Sequence, residues 1–295
     1  MRGLDWIMLW TLSLIWGGSF LFNEIALQGL PPLSIVWGRV ALAALVLWVV
    51  LWVVERKAPP RALWPALLVM GLMNNAVPFA LFVLAQGQIT GALASVLNAM
   101  TPIFTVLVAH VATADERLTG RKALGVGLGF GGVLVMMAGE GLGGAVPAML
   151  ACLGAALSYG LAGVWGRKFR AAGVSPLATA TGQLTASSLL ITPLWLGIDR
   201  PWAMKWPGAE PVLAVIALAT LCSALAYLLF FRVLASAGST AVSLVTFLIP
   251  LSAAGLGWLV LGEVLDLRHL VGLALILGGL WLIQGRRRHA WGKQA

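Results

Sequence analysis

Charge is scarce in this sequence: 10% of its 295 residues are Asp, Glu, Lys or Arg, whereas 60% are hydrophobic. A soluble domain of this length exposes most of its surface to water and needs many more polar residues. The composition therefore excludes a soluble enzyme or a soluble binding module. It predicts an all-α polytopic membrane protein that has the lipid bilayer as a partner.

Residues that bind metals or form disulfides are equally few. The chain has two cysteines, Cys152 and Cys222, both inside apolar runs, and three scattered histidines. They show no zinc, haem or disulfide spacing. The sequence also lacks a phosphate-binding loop and a nucleophile beside a base. We therefore expect no metal, no cofactor and no enzymatic activity; a lipid enzyme would depend on His110 with Glu116 and Arg117.

Acidic residues are missing from the predicted membrane midplane. Of the ten Asp and Glu residues, Glu24 comes closest, near the outer end of the first predicted span. Carriers that couple to protons usually place a carboxylate or a histidine relay inside the membrane. Glu24 is therefore the one candidate for proton coupling, and facilitated diffusion is the alternative.

The sequence does contain an internal repeat. Gly125 matches Gly272 and Gly132 matches Gly279, with the same sequence offset in both pairs. Further matches at similar offsets pair Pro102 with Pro250, Gly38-Arg39 with Gly182-Gln183, and Trp16 with Tyr159. If each copy has an odd number of spans, the second copy enters the membrane from the opposite side. Such inverted repeats are typical of secondary transporters, which bind substrate near the midplane between the two halves.

Apolar runs of about 20 residues, the length that crosses a bilayer, predict ten transmembrane helices. Their limits are 6–27, 33–54, 63–85, 91–112, 121–138, 145–166, 176–196, 209–231, 239–261 and 268–285. We therefore predict two inverted five-helix repeats, at residues 1–139 and 145–286, and a basic cytoplasmic tail at 287–295. Pro78, Pro102 and Pro250 lie inside spans, where we expect structural or gating roles.

Basic residues are distributed unevenly between the two sides of these spans. Fifteen of the nineteen Lys and Arg residues fall in the termini and in alternate loops, three fall in the remaining loops, and Arg39 lies inside the second span. The positive-inside rule then places both termini in the cytoplasm. The same clustering between spans argues against nucleic-acid binding, despite the net charge of +9.

Polar side chains inside spans are costly to bury in hydrocarbon, so they mark functional or interhelical contacts. Arg39 and its repeat mate Gln183 share a depth, which favours an inward structural or substrate role. Snorkelling of Arg39 to the outer interface is the alternative. Asn74 and Asn98 are explained equally well as interhelical hydrogen bonds and as cavity lining.

Aromatic residues deep in the spans are candidates for the wall of a substrate cavity, with plain apolar packing as the alternative. Both tyrosines of the chain, Tyr159 and Tyr227, belong to this group, and a buried phenol needs a hydrogen-bond partner. The glycines of the fifth and tenth spans have the spacing of close helix packing. We expect this packing to be intramolecular, so the protein should be a monomer or a weak dimer.

Several short motifs together resemble the EamA family of the drug/metabolite transporter superfamily. They are WGGSF in the first span, the Pro32 to Arg39 spacing, DERL after the Pro102 span, and LGEVL before the Gly-Gly tenth helix. The resemblance covers the whole chain as two EamA units. It implies ten helices with both termini inside, export of small metabolites or amino acids from bacterial cells, and a location in the bacterial inner membrane.

The resemblance also implies a central cavity lined by helices one, three, four, six, eight and nine. The candidate substrate-binding residues on these helices are Trp16, Phe20, Asn74, Asn75, Phe79, Asn98, Tyr159, Trp165, Ser223, Tyr227 and Thr246. Within the family, the aromatic amino-acid exporters (the YddG-like group) are the most similar kind. The sequence leaves open an exporter of another metabolite or drug, and, with less support, a channel or a membrane-embedded lipid enzyme.

Overall fold

The computed structural model describes residues 3–113, 118–138 and 145–284, and these form helices without any β-strand. The long helices are α1 (Gly3–Leu27), α2 (Pro32–Val54), α3 (Arg61–Gln86), α4 (Gly91–Ala112), α5 (Gly120–Met137), α6 (Ala145–Ala171), α7 (Pro176–Leu194), α8 (Ala209–Gly238), α9 (Leu244–Leu261) and α10 (Leu267–Gln284). The predicted all-α fold is confirmed, and the ten long helices correspond in order to the ten predicted spans. The tail predicted at 287–295, and the pair Glu116 and Arg117, lie outside the described residues.

Helix α7 is more polar than its neighbours. In the described part of the chain, eight helices are long and apolar enough to cross a membrane, and α10 adds a shorter apolar stretch, Leu267–Ile283. The hydroxyls of α7 bond carbonyls one turn earlier: Thr181 Oγ1 donates to Leu177 O at 2.9 Å, and Ser187 Oγ to Gln183 O at 2.7 Å. These bonds satisfy the hydroxyls within the helix, so α7 can lie buried among apolar helices.

Helices α2 and α7, which are repeat mates, cross in opposite directions. Trp37 Nε1 donates to Thr192 Oγ1 at 2.9 Å, and Trp48 Nε1 donates to Thr185 Oγ1 at 2.9 Å. The residue number on α7 falls as the number on α2 rises, so the two helices are antiparallel. Repeats of the same orientation would make them parallel, and the two halves are therefore inverted.

Helices α5 and α10 repeat this arrangement through glycine. A Cβ atom on Gly125 would meet the carbonyl oxygen of Gly279, and one on Gly132 would meet that of Gly272. Each contact joins a glycine of one copy to a glycine of the other, again in antiparallel order. Gly127, by contrast, has open space around it. The close packing of α5 and α10 is therefore intramolecular and needs these glycines.

Helices α3 and α8 each widen into a π-helical turn at equivalent positions, Leu72–Ala76 and Thr220–Leu225. In α3 this turn directly precedes Pro78, whose ring cannot fit a regular helix. In α8 the Ser223 hydroxyl bonds the Leu218 carbonyl, five residues earlier, at 2.9 Å. Turns of this kind often lie at functional sites. Here they place the polar residues of both helices in the middle of the bundle.

The remaining packing follows the same pseudo-symmetry. Helix α1 packs against α8 and α9 of the second half, and its mate α6 packs against α3 and α4 of the first. Helix α4 consists of two parts, Gly91–Asn98 and Thr101–Ala112, with Pro102 at the start of the second part. Pro250 lies within a helix that continues past it. Helix α8 extends to Gly238, where φ is 80°, and so is longer than the predicted span.

Candidate functional site

A cavity of about 720 Å³ lies between the two halves. Residues of α1, α2, α3, α4, α6, α7, α8 and α9 line it, so α2 and α7 join the six helices that the resemblance implied. The wall reaches Arg170, Gly173 and Pro176, at the end of α6 and the start of α7. The cavity therefore extends from the centre of the bundle toward the basic end of α6 and the α6–α7 loop that follows it.

Most of the predicted substrate-binding residues meet in this wall. They are Trp16, Phe20, Asn74, Phe79, Asn98, Tyr159, Ser223, Tyr227 and Thr246, and Arg39 and Gln183 join them. Helices from both halves supply them, which is why residues far apart in the sequence lie together. Pro78, Pro102 and Pro250 are not part of the wall; they lie within the helices that carry it.

Two of the predicted residues lie elsewhere. Asn75 is fully buried behind the wall, and its amide donates to Tyr227 Oη at 3.3 Å. Trp165 lies near the basic end of α6, where Nε1 donates to Ala66 O at 3.1 Å. The Lys168 ammonium lies 3.2 Å from the centre of a Trp165 ring, a cation–π contact away from the cavity.

Arg39 points inward rather than to the outer interface, with 7% of its surface exposed. Its Nε donates to Ser223 Oγ at 3.0 Å, and the guanidinium lies 3.8 Å from the centre of the Phe79 ring. The π-helical turn of α8 supplies Ser223, and α3 supplies Phe79. A cation in the membrane interior is thus held by one hydroxyl and one aromatic face.

The Tyr227 phenol connects the two π-helical turns to α7. Its oxygen receives the Gln183 amide at 3.0 Å, the Asn74 amide at 3.1 Å and the Asn75 amide at 3.3 Å. Asn74 also donates to Gln183 Oε1 at 3.3 Å. Asn74 therefore forms interhelical hydrogen bonds and lines the cavity, and the two explanations offered for it are not exclusive.

The apolar part of the cavity wall is formed by paired rings. Trp16 and Phe230 have ring centres 5.7 Å apart, and Phe82 stacks on Tyr159 at 6.2 Å. Phe20 meets Phe82 edge-on at 5.6 Å. Sequence reasoning missed Phe82 and Phe230, which each lie three residues after a predicted residue of the same helix. The i to i+3 spacing along α3 and α8 was the signal that could have identified them.

Glu24 lies outside the cavity wall, at the end of the bundle opposite the α6–α7 loop. Its carboxyl accepts a hydrogen bond from the backbone N–H of Gly91 at the start of α4. Glu263 also accepts from Gly91 N at 3.1 Å and from Ala92 N at 3.2 Å. The two carboxyls therefore share the Gly91 N–H and lie next to each other. Sequence reasoning missed Glu263, which belongs to the LGEVL motif.

A layer of amides separates this acidic pair from the cavity. Asn23 Nδ2 donates to Gln86 Oε1 at 2.8 Å, and Gln86 Nε2 donates to Phe20 O at 2.8 Å. Both amides are buried, and they join α1 to α3. The cavity is thus closed at this end by two successive polar layers.

No group of three His, Cys, Asp or Glu residues that could hold a metal ion occurs within residues 3–113, 118–138 and 145–284. Cys152 and Cys222 are buried and are not paired with each other.

The cavity wall offers stacking surfaces, hydroxyls, amides and one buried cation. It can bind a small molecule that has both an apolar and a polar part.

Comparison with known proteins agrees with this architecture. The model of the EamA-like transporter family matches the chain twice, at residues 5–138 and 146–285. A solved crystal structure superposes with a TM-score of 0.69, at 19% identity, over 97% of this chain and 100% of the other. At that identity the likeness shows the fold alone.

Relatives of similar length carry transporter names. The "Uncharacterized transporter YvbV" of Bacillus subtilis is 28% identical over 96% of this chain and 92% of its own. "Protein PecM" of Dickeya dadantii is 26% identical, with 92% and 89% covered. The "Uncharacterized inner membrane transporter YedA" of Escherichia coli is 25% identical, with 93% and 89% covered. The two family matches span nearly the whole chain, which belongs to the EamA-like transporter family.

Proposed function

We propose that the protein exports amino acids with aromatic or hydrophobic side chains across the bacterial inner membrane by alternating access. The observation that carries this proposal is the aromatic cavity at the interface of two inverted halves. Cavities of about 300–1,000 Å³ suit ligands of drug or metabolite size, and the volume of about 720 Å³ lies within that range. Substrate sites between inverted repeats are typical of secondary transporters.

The charge asymmetry of the loops supports an assignment of the cavity mouth to the cytoplasmic side. The cavity reaches the basic end of α6, and the positive-inside rule assigns that end to the cytoplasm. The opposite, outer end is closed by the Asn23–Gln86 amides and by the Glu24–Glu263 pair. The conformation is therefore inward-facing, ready to take substrate from the cytoplasm. The relative named as an inner membrane transporter supports the same location.

Alternating access requires helices that can bend around the site. The π-helical turns of α3 and α8 lie beside the cavity at equivalent positions of the two halves. Such turns have irregular backbone bonding, and so can absorb a change of helix direction more easily than a regular helix. Rocking of the halves about these turns would close the cytoplasmic end and open the outer one. A channel is less well supported, because the amides and carboxyls close the outer end.

Counterflow in proteoliposomes tests the proposal. Vesicles with the purified protein are loaded with one unlabelled amino acid at a time, and uptake of labelled tryptophan, phenylalanine, threonine or a polyamine is followed. Saturable exchange of tryptophan and phenylalanine, weaker with threonine and absent with the polyamine, is the expected result. Exchange of none of the amino acids would refute amino-acid export and direct the search to other metabolites or drugs.

Matched variants connect that assay to the cavity. Trp16→Ala removes an indole from the wall, whereas Trp165→Ala removes one outside it. The first should raise the concentration for half-maximal exchange about fivefold or more, since a stacking surface contributes roughly 1 kcal/mol or more. The second should leave it unchanged. Equal effects of the two substitutions would contradict the assignment of the cavity.

A further inference from the structure

Arg39 has unused hydrogen-bonding capacity inside the cavity. Only 7% of its surface is exposed, and it belongs to the cavity wall. Its Nε atom is bonded to Ser223, and one face of the guanidinium is covered by Phe79. The two terminal nitrogens have no hydrogen-bond partner among the described residues. Together these nitrogens form the part of the guanidinium that matches a carboxylate through two parallel bonds.

The charge of Arg39 is not balanced by the cavity. No Asp or Glu occurs among the described residues that line it, whose remaining polar groups are hydroxyls, amides and the mouth residue Arg170. The Glu24–Glu263 pair lies at the outer end, behind the Asn23–Gln86 amides. An open cavity gives the solvent access to the guanidinium. Closure around a substrate removes that access, and a buried unpaired charge is costly unless an anion enters with it.

We infer that the substrate class of this cavity is organic anions, small carboxylates with an aromatic part, and that an α-amino group adds nothing to their recognition. The inference concerns the cavity of the proposed function and deepens that proposal. The carboxylate binds the terminal nitrogens of Arg39, and the ring packs on the Trp16 and Tyr159 walls. Arg39, Trp16 and Tyr159 all belong to the wall of one cavity of about 720 Å³, so a single small molecule can contact the charge and the rings together.

The amino group is dispensable because the wall offers it no opposite charge. An ammonium would meet neutral acceptors such as the Asn98 amide, and it would lie in the field of Arg39. Neutral acceptors and ring faces replace part of its hydration, whereas the repulsion from Arg39 remains. A zwitterionic amino acid therefore gains its affinity from the carboxylate and the ring. An amine without a carboxylate is repelled.

Binding of three ligands with the same ring tests the inference. Phenylacetate, phenylalanine and phenethylamine carry respectively the carboxylate alone, both groups, and the amine alone. Their affinities for the purified protein can be measured by isothermal titration calorimetry. We expect phenylacetate to bind at least as tightly as phenylalanine, and phenethylamine to bind about 10–100-fold more weakly, the range of a charge-assisted hydrogen-bonded pair.

Substitutions at Arg39 identify the charge responsible. Arg39→Gln should abolish the preference for phenylacetate over phenethylamine, and Arg39→Lys should keep part of it, since lysine retains the charge but not the planar fork. The repeat mate of Arg39 is Gln183, so glutamine at this depth already occurs in the other half. Arg232→Gln removes one charge from an exposed position outside the wall and should leave the preference intact.

The outcomes separate this inference from the proposed function. Equal affinities for phenylacetate and phenethylamine in the unmodified protein would overturn the inference without any variant. So would phenylalanine binding at least tenfold more tightly than phenylacetate, and amino-acid export would then stand. Anion binding governed by Arg39, without counterflow of amino acids, would support the inference and refute amino-acid export.

Discussion

Replacing Tyr227 with phenylalanine removes one oxygen on which three helices depend. The Tyr227 phenol accepts from Asn74 and Asn75 on α3 and from Gln183 on α7. The phenol oxygen holds at most two of these amides at once. Interhelical hydrogen bonds in membranes contribute on average about 0.6 kcal/mol each, and the substitution also leaves buried amide donors without an acceptor, so we expect a total loss of about 2 kcal/mol. The loss of a hydrogen bond would cost most at Asn75, because this residue is fully buried and its Oδ1 already lacks a partner.

Tyr159→Phe is the matched control for this substitution. It is the same chemical change at the only other tyrosine of the chain, whose ring stacks on Phe82 at 6.2 Å. Its phenol has no hydrogen-bond partner among the described residues. Thermal unfolding of the two purified variants in one detergent compares them. Tyr227→Phe should unfold roughly 4–6 °C below the unmodified protein, using the size scaling for large domains. Tyr159→Phe should stay within about 2 °C of it.

Two results would refute the reasoning on the Tyr227 phenol. Equal unfolding temperatures for Tyr227→Phe and Tyr159→Phe would show that the three amides find other partners. A larger loss for Tyr159→Phe would show that its oxygen, not that of Tyr227, holds the helices together. A double variant with Gln183→Ala distinguishes the bonds further, because the two losses should be less than additive when the residues share one network.

The other predictions concern the crossing of α5 and α10 and the end of the bundle that holds Glu24 and Glu263. Gly132→Leu should lower the unfolding temperature strongly, because the new side chain would meet the Gly272 carbonyl. Gly127→Leu is the control and should not lower it, because Gly127 has open space around it. Comparable losses for the two substitutions would contradict the crossing of α5 and α10. Glu24→Gln should keep counterflow but lose any response to a pH gradient, because the amide can hold the Gly91 N–H with no proton to release. A gradient response that survives in this variant would exclude Glu24 as the coupling group.

Local features of the sequence were enough to predict the spans and their inversion. Hydrophobic length gives the helices, and the match of Gly125 and Gly132 to Gly272 and Gly279 gives the repeat, because both signals lie within short segments. The exceptions have physical causes. Helix α8 continues past its predicted end because nothing in residues 232–237 stops a helix before Gly238. The polar character of α7 is tolerated because its hydroxyls bond its own carbonyls.

The sequence by itself also identified the polar and aromatic residues that need a partner or a cavity inside the membrane, and Arg39 and the two tyrosines are among them. It could not say which way they face, since a helix has several faces and only packing selects one. Tertiary structure placed Arg39 over Phe79 and directed it into the cavity, moved Trp165 out, and brought Glu263 to Glu24. The contacts of Trp165 and Glu263 join opposite halves of the chain, whereas Arg39 and Phe79 lie on different helices of the first half. All of these distances depend on how separate helices pack, which no local pattern encodes.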